Sequence, residues 1–229
     1  MAQPIVEVHP ATGRLRGIAV FCHGGTASSQ NPPRDRALSL VRMREIERFV
    51  RHTAGGRGIG THLVRYRVAG WNGAAADAYS DVLWALEQIR AEHGPDLPVV
   101  LVGHSMGGRA ALRAGGDPQV AAVCALAPWT PPGEPVAHLR GRTITVLHGR
   151  ADRWVPAAQS ADFAMRAARA GAHVARFTTT GGHSMLRGAL KWHRFARDTV
   201  LGATGIEPMR PDIANALARP VPEGIGVPL

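Results

Sequence analysis

The sequence predicts an α/β fold, a mostly parallel sheet of about seven strands with helices on both faces. Three observations carry that expectation. From residue 61 onward, short apolar runs alternate with longer stretches of helical periodicity, the pattern of strand and crossover helix in a parallel sheet. The apolar run Leu97-Pro98-Val99-Val100-Leu101-Val102 stops at Gly103-His104-Ser105-Met106-Gly107-Gly108, where a strand must turn into a helix within a residue or two. A length of 229 residues with 45% hydrophobic content suits one domain with a full-sized core.

Taken in order, Ile5 to His9 and Leu15 to Cys22 read as two strands of a hairpin around the turn Ala11-Thr12-Gly13-Arg14. Asn31-Pro32-Pro33 marks a loop, and Arg34 to His52 carries apolar residues at helical intervals with a charged face for water. Gly55-Gly56-Arg57-Gly58-Ile59-Gly60 is glycine-dense, but no strand precedes it and no helix follows it, so it reads as a turn and not as a phosphate loop. His62 to Val68 is the next strand. Asp77 to His93 is a helix with Val82, Leu83, Leu86 and Ile89 as its apolar stripe, and Gly94-Pro95 ends it. The remaining strands are the one before Gly103, Val120 to Leu126, Arg142 to Leu147 and His173 to Thr178; the remaining helices follow Ser105 and span Ala157 to Ala170 and Met185 to Leu201. Residues 1–202 are expected to form the domain. Residues 203–229 form a proline- and glycine-rich tail without chemistry, whose one helical candidate is Asp212 to Ala218.

The formal charge is +10, and Lys191 is the only lysine, so the excess is arginine. These arginines are scattered and no aromatic-interleaved basic motif accompanies them, which argues against specific nucleic-acid binding. The first residues lack a signal-peptide pattern, no stretch is long and apolar enough for a membrane span, and a cytoplasmic location is expected. Cys22 and Cys124 sit in apolar strand runs and read as small core residues in a reducing compartment. No histidine or cysteine spacing suits zinc, and no cofactor is implied.

The corner at Ser105 carries the chemistry. A strand-to-helix turn this sharp strains the backbone of the apex residue and pushes its hydroxyl out of the sheet, while the Met106 amide opens the helix toward the same space. Serine becomes nucleophilic only if a base takes its proton during attack. Asp152, in His148-Gly149-Arg150-Ala151-Asp152-Arg153-Trp154-Val155-Pro156, lies just past a strand end and suits the orienting acid, with Glu134 as the alternative. His183, in Gly181-Gly182-His183-Ser184, lies on the loop after the following strand and suits the base. Its rivals His23, His104 and His148 lie near other strand ends, and the chain order Ser, Asp, His decides for His183. In His23-Gly24-Gly25-Thr26 a bare backbone can approach a substrate closely, which points to the Gly25 amide, or else Thr26, as a second oxyanion donor.

With these motifs in this order, residues 5 to 201 resemble the α/β-hydrolase-fold serine hydrolases, and among them the small capless esterases and dienelactone hydrolases. The resemblance implies Ser105 as nucleophile, Asp152 as acid, His183 as base, Met106 and Gly25 as the oxyanion hole, and an acyl-serine intermediate in the cleavage of a carboxylic ester or related acyl bond. If the family's sheet order holds, Cys22 and Cys124 stand on strands separated by a third, about 9 to 10 Å apart, too far for a disulfide. Relatives often insert a helical cap before the strand carrying Val146; here the segment starting Pro128-Trp129-Thr130 is too short for one. The expected partner is a small-molecule acyl substrate. Trp71, Trp129 and Trp154 each follow a strand end and, with His104, are candidates to line the mouth, unless the indoles only pack loops against the body. The same residues would also serve an acyltransferase, a thioesterase or a ligand receptor of this fold.

Overall fold

Gly17–Cys22 (β2) and Val99–His104 (β4) are buried at every position, which a strand achieves only when both its faces are covered and both its edges are paired. They lie side by side in the sheet, with Cys22 opposite Gly103. The structure, a computed structural model, describes residues 3–229. Its other elements are Ile5–His9 (β1), Leu38–Ala54 (α1), Ile59–Arg65 (β3), Asp77–His93 (α2), Met106–Ala114 (α3), Val120–Leu126 (β5), Thr143–Gly149 (β6), Ala157–Arg169 (α4), His173–Thr179 (β7), Ala189–Ala203 (α5), Pro211–Ala218 (α6) and Ile225–Pro228 (β8). The eight-stranded sheet has the order β1-β3-β2-β4-β5-β6-β7-β8. Only the β1–β3 pair is antiparallel.

Alternation along each strand divides the core into two layers. Ile18, Val20 and Leu101 face α2, α3 and α4, while Ala19, Phe21 and Val102 face α1, α5 and α6. The expected α/β fold with helices on both faces is therefore present. The strands count eight instead of about seven, because residues 225–228 of the tail pair with β7.

The expected hairpin does not form. β1 pairs with β3, Val6 opposite Val64, and β3 lies between β1 and β2. The burial pattern explains the choice: β1 is exposed or half-exposed throughout and suits an edge, whereas β2 needs a neighbour on each side. β3 begins at Ile59 and not His62, because Gly58, at φ 97°, reverses the chain directly into the sheet. α1 begins at Leu38 and not Arg34, after a turn in which the Ala37 amide donates to the Arg34 carbonyl. α5 begins at Ala189, following Gly188 at φ 68°. On α1 one charge departs from the expected solvated face: Glu47 is buried, accepting from Arg51 and from Thr61 of β3.

Cys22 and Cys124 lie on β2 and β5 with β4 between them, both free and buried. Burial pushes each thiol up to about 12, which keeps both protonated and inert.

β8 is held by the Arg176 amide on the Gly224 carbonyl and the Leu229 amide on the Thr178 carbonyl. Ending the chain at Arg219 removes these bonds and bares the β7 edge, a loss of about 1–2 kcal/mol. The melting temperature should then fall by about 2–8 °C in a thermal scan.

Candidate active site

Ser105 occupies the corner between β4 and α3 at φ 54°, ψ −118°, a conformation that costs a non-glycine residue about 1–3 kcal/mol. The turn is this tight because backbone passes backbone: a Cβ on Gly103 would collide with the Gly107 carbonyl, and one on Gly107 with the Cys22 carbonyl. The Ser105 carbonyl is held by the amides of Arg109 and Trp129. The hydroxyl faces an open cleft of about 1010 Å³.

His183 stands on the loop between β7 and α5, and its Nε2 is 2.9 Å from Ser105 Oγ. On its other side, Nδ1 lies 2.7 Å from Asp152 Oδ2. Since Nδ1 must donate to the carboxylate, Nε2 is the bare nitrogen, which accepts the hydrogen bond of the serine hydroxyl. Asp152 sits in the turn after β6 with its side chain fully buried. Oδ1 accepts from the amides of Trp154 and Val155 at 2.9 Å each, and Oδ2 also accepts from His148 Nε2 at 3.2 Å. Burial alone would raise its proton affinity, but the hydrogen bonds from His148, His183 and Val155 outweigh it and hold the carboxyl well below the usual carboxylate range.

The rival histidines lie elsewhere. His23 is a core residue whose ring is tilted against that of Tyr66, centres 4.3 Å apart, and burial lowers it to about 4. His148 contacts the carboxylate and not the serine. His104 borders the cleft but is only 4% exposed; its Nε2 donates to the His183 carbonyl at 2.9 Å, and burial lowers it to about 3, so it braces the His183 loop as a neutral ring. Glu134, the alternative acid, is turned away from His183 and accepts from Arg109 Nε at 2.6 Å and from Arg113.

Gly25 and Met106 both border the cleft, whereas the Thr26 amide is spent on the Ala69 carbonyl at 2.9 Å. A side chain at Gly25 would strike that same carbonyl and the Met106 side chain.

The three indoles separate. Trp129 and Trp154 line the cleft; Trp154 is 81% exposed, its ring 5.7 Å from that of His183. Trp71, expected at the mouth, is instead 2% exposed and off the cleft wall. It packs edge-on to Trp129 at 6.4 Å, with the Arg109 guanidinium 3.9 Å from its ring centre. That guanidinium explains the burial, since Arg109 stacks on both indoles while bonded to Glu134. The cleft is also lined by Pro32, Pro33, Ala37, Leu38 and Arg42, which the sequence marks only as a loop and a helix start. Residues 127–142 between β5 and β6 contain one short 3-10 turn and no cap. Among the described residues, no three His, Cys, Asp or Glu side chains converge as metal ligands, and no helix is long and apolar enough to cross a membrane.

Residues 19–227 match the family model described as "Alpha/beta hydrolase family". Among solved structures, the chain is similar to esterase 2 of Thermogutta terrifontis, at 19% identity over 90% of this chain and 91% of that one, with a TM-score of 0.66. It is also similar to an alpha-beta serine hydrolase homologue from Coxiella burnetii, at 14% identity over 85% and 90% with a TM-score of 0.64. A third is a serine hydrolase without lid from Xanthomonas campestris, at 17% identity over 90% of each chain with a TM-score of 0.61. Among curated proteins none matches the chain.

Two outcomes follow from this geometry. Glu134→Ala leaves two arginines without their buried acceptor and should destabilise the protein by about 3 kcal/mol in denaturant unfolding. Asp152 has a folded proton affinity below its unfolded one, so its contribution to stability is present above the unfolded value and lost as pH falls through the folded one. The stability gap between wild type and Asp152→Asn should therefore be full near neutral pH and narrow progressively below about pH 4.

Proposed function

The chain belongs to the alpha/beta hydrolase family, and on that premise we propose that it is a serine hydrolase which cleaves a carboxylic ester, or a related acyl bond, through an acyl-serine intermediate. The observation that carries this reading is the continuous relay of Ser105, His183 and Asp152, at 2.9 and 2.7 Å, at the apex of the strained corner.

In the first step Ser105 Oγ attacks the carbonyl carbon while its proton passes to His183 Nε2, and Asp152 stabilises the imidazolium through Nδ1–H. The oxyanion rests on the amides of Met106 and Gly25, neither of which has a hydrogen-bond partner among the described residues. His183 returns the proton to the leaving alcohol. Water then attacks the acyl carbon as His183 takes one of its protons; the acyl–Oγ bond breaks, His183 returns that proton to Ser105 Oγ, and the acid leaves. Trp129 and Trp154 offer an apolar wall for the acyl or alcohol part. The uncapped cleft supports hydrolysis over transfer, because water reaches the acyl-serine unhindered.

A fluorophosphonate probe tests the reading at its first step. Peptide mass spectrometry should place the adduct on Ser105, and Ser105→Ala should lose both labelling and turnover of aryl esters while staying folded. Absence of labelling in a folded sample would favour a ligand receptor; accumulation of transfer products with added alcohols or thiols would favour an acyltransferase. Asp152→Asn should lower kcat by about four decades, since the imidazole loses the acceptor that sets its tautomer.

A further inference from the structure

Arg176 on β7 is 4% exposed, yet no carboxylate lies within ion-pair distance of it among the described residues. Nη2 donates to the Ala157 carbonyl at 2.8 Å and Nε donates to Ser160 Oγ at 3.0 Å. A buried cation without a counter-ion is costly, so the hydrogen bonds leading away from it are informative. Ser160, in the first turn of α4, has its Oγ 2.8 Å from His148 Nδ1. His148 on β6 is fully buried, and its Nε2 faces Asp152 Oδ2 at 3.2 Å and the Val155 carbonyl at 3.1 Å. Both are acceptors, so Nε2 carries the hydrogen and Nδ1 is bare. The single Ser160 hydroxyl hydrogen has two acceptors, Nδ1 at 2.8 Å and the Ala157 carbonyl at 3.1 Å, and the shorter contact, with that carbonyl already taken by Arg176, assigns it to Nδ1. Every donor along the row then points the same way, from guanidinium to hydroxyl to imidazole to carboxylate.

We propose that Arg176, Ser160 and His148 form a positioning arm on Asp152, one that supports His148 as an Nε2–H donor and sets how strongly the carboxylate holds the imidazolium of His183. The arm rests on the reading of Ser105, His183 and Asp152 as the catalytic relay. Two imidazoles share Oδ2, and only one can be the base. A hydrogen on His148 Nδ1 would point at the oxygen that already accepts from Arg176 Nε, whereas a bare Nδ1 takes the Ser160 hydrogen and keeps the row running in one direction. The donated Nε2–H draws charge from Oδ2 and tempers its pull on His183. The titratable and charged groups around the cluster are Asp152, His183, His104 and Arg176; His104 stays neutral through burial.

The test uses the full-length protein labelled with 15N at histidine. Long-range proton–nitrogen spectra near neutral pH should show His148 protonated at Nε2 and bare at Nδ1. In Ser160→Ala the bare Nδ1 loses its donor and its nitrogen resonance should shift while Nε2 stays protonated, and in both Ser160→Ala and Arg176→Met the acid limb of kcat/KM should move up by about half a pH unit or more. The sign follows because an untempered carboxylate stabilises the imidazolium, and the active form needs a neutral His183. kcat should fall while KM holds. Ser160→Thr keeps the hydroxyl and should bring the profile back toward wild type. If Arg176→Met does not fold, the Ser160 pair carries the test alone. Finding His148 protonated at Nδ1, or an acid limb that superimposes on wild type while the rate falls, overturns the arm. The spectra also titrate His183 without turnover, so an inactive protein with the expected tautomer and shift would keep the arm and sink the hydrolase reading.

Discussion

The close passage of the Gly107 backbone against the carbonyl of Cys22 is the contact on which the site depends. It lets α3 begin one residue after β4 ends, and so leaves Ser105 no conformation other than a strained one. The strain is held because the flanking elements are themselves fixed: β4 is buried along its whole length between β2 and β5, and α3 packs on α2 and on the sheet. A looser corner would let the hydroxyl fall back into the sheet. The rest of the molecule positions partners around a group whose place is already set.

Those partners are supplied by ordered hydrogen bonds more than by opposed charges. Asp152 is buried, and it remains ionised because two amides and two imidazoles donate to it. His183 is gripped at three points, through Nδ1, Nε2 and its own carbonyl, the last by His104. Pinning both the ring and the main chain makes a loop residue as well placed as one on a strand, which is what proton transfer over one hydrogen bond requires. Gly25 and Met106 meet the same cleft from separate elements, because β2 and β4 are adjacent and end level with each other.

Much of this was legible beforehand. The strand-glycine-serine-glycine-helix pattern, the carboxylate past β6 and the histidine past β7 are local features, and local features survive in a sequence. Elements whose limits are marked by a stop signal were legible too: α2 runs from Asp77 to His93 as read, with Gly94 behind it. What escaped depends on long-range pairing. β1 and β2 look like a hairpin because their turn is short, and only competition from β3 for the buried edge shows otherwise. The tail strand is only four residues, too short for its alternation to stand out, and it exists because β7 offers an unpaired edge. Trp71 follows a strand end as Trp129 and Trp154 do, yet Arg109, far away in sequence, draws it inward. Arg176 and Ser160 carry no motif at all.

The attachment of Glu134 to Arg109 and Arg113 bears on the kinetics of turnover. In enzymes with a mobile cover, opening and closing often set the overall rate. Here the segment in the position of a cover is clamped to α3, the helix that begins beside Ser105. On the proposed reading, substrate entry and product departure through that side have no hinge to wait for, which leaves bond-making steps or diffusion through the cleft to set the rate. Such a site cannot use closure to select its substrate; discrimination has to come from walls that are already in place.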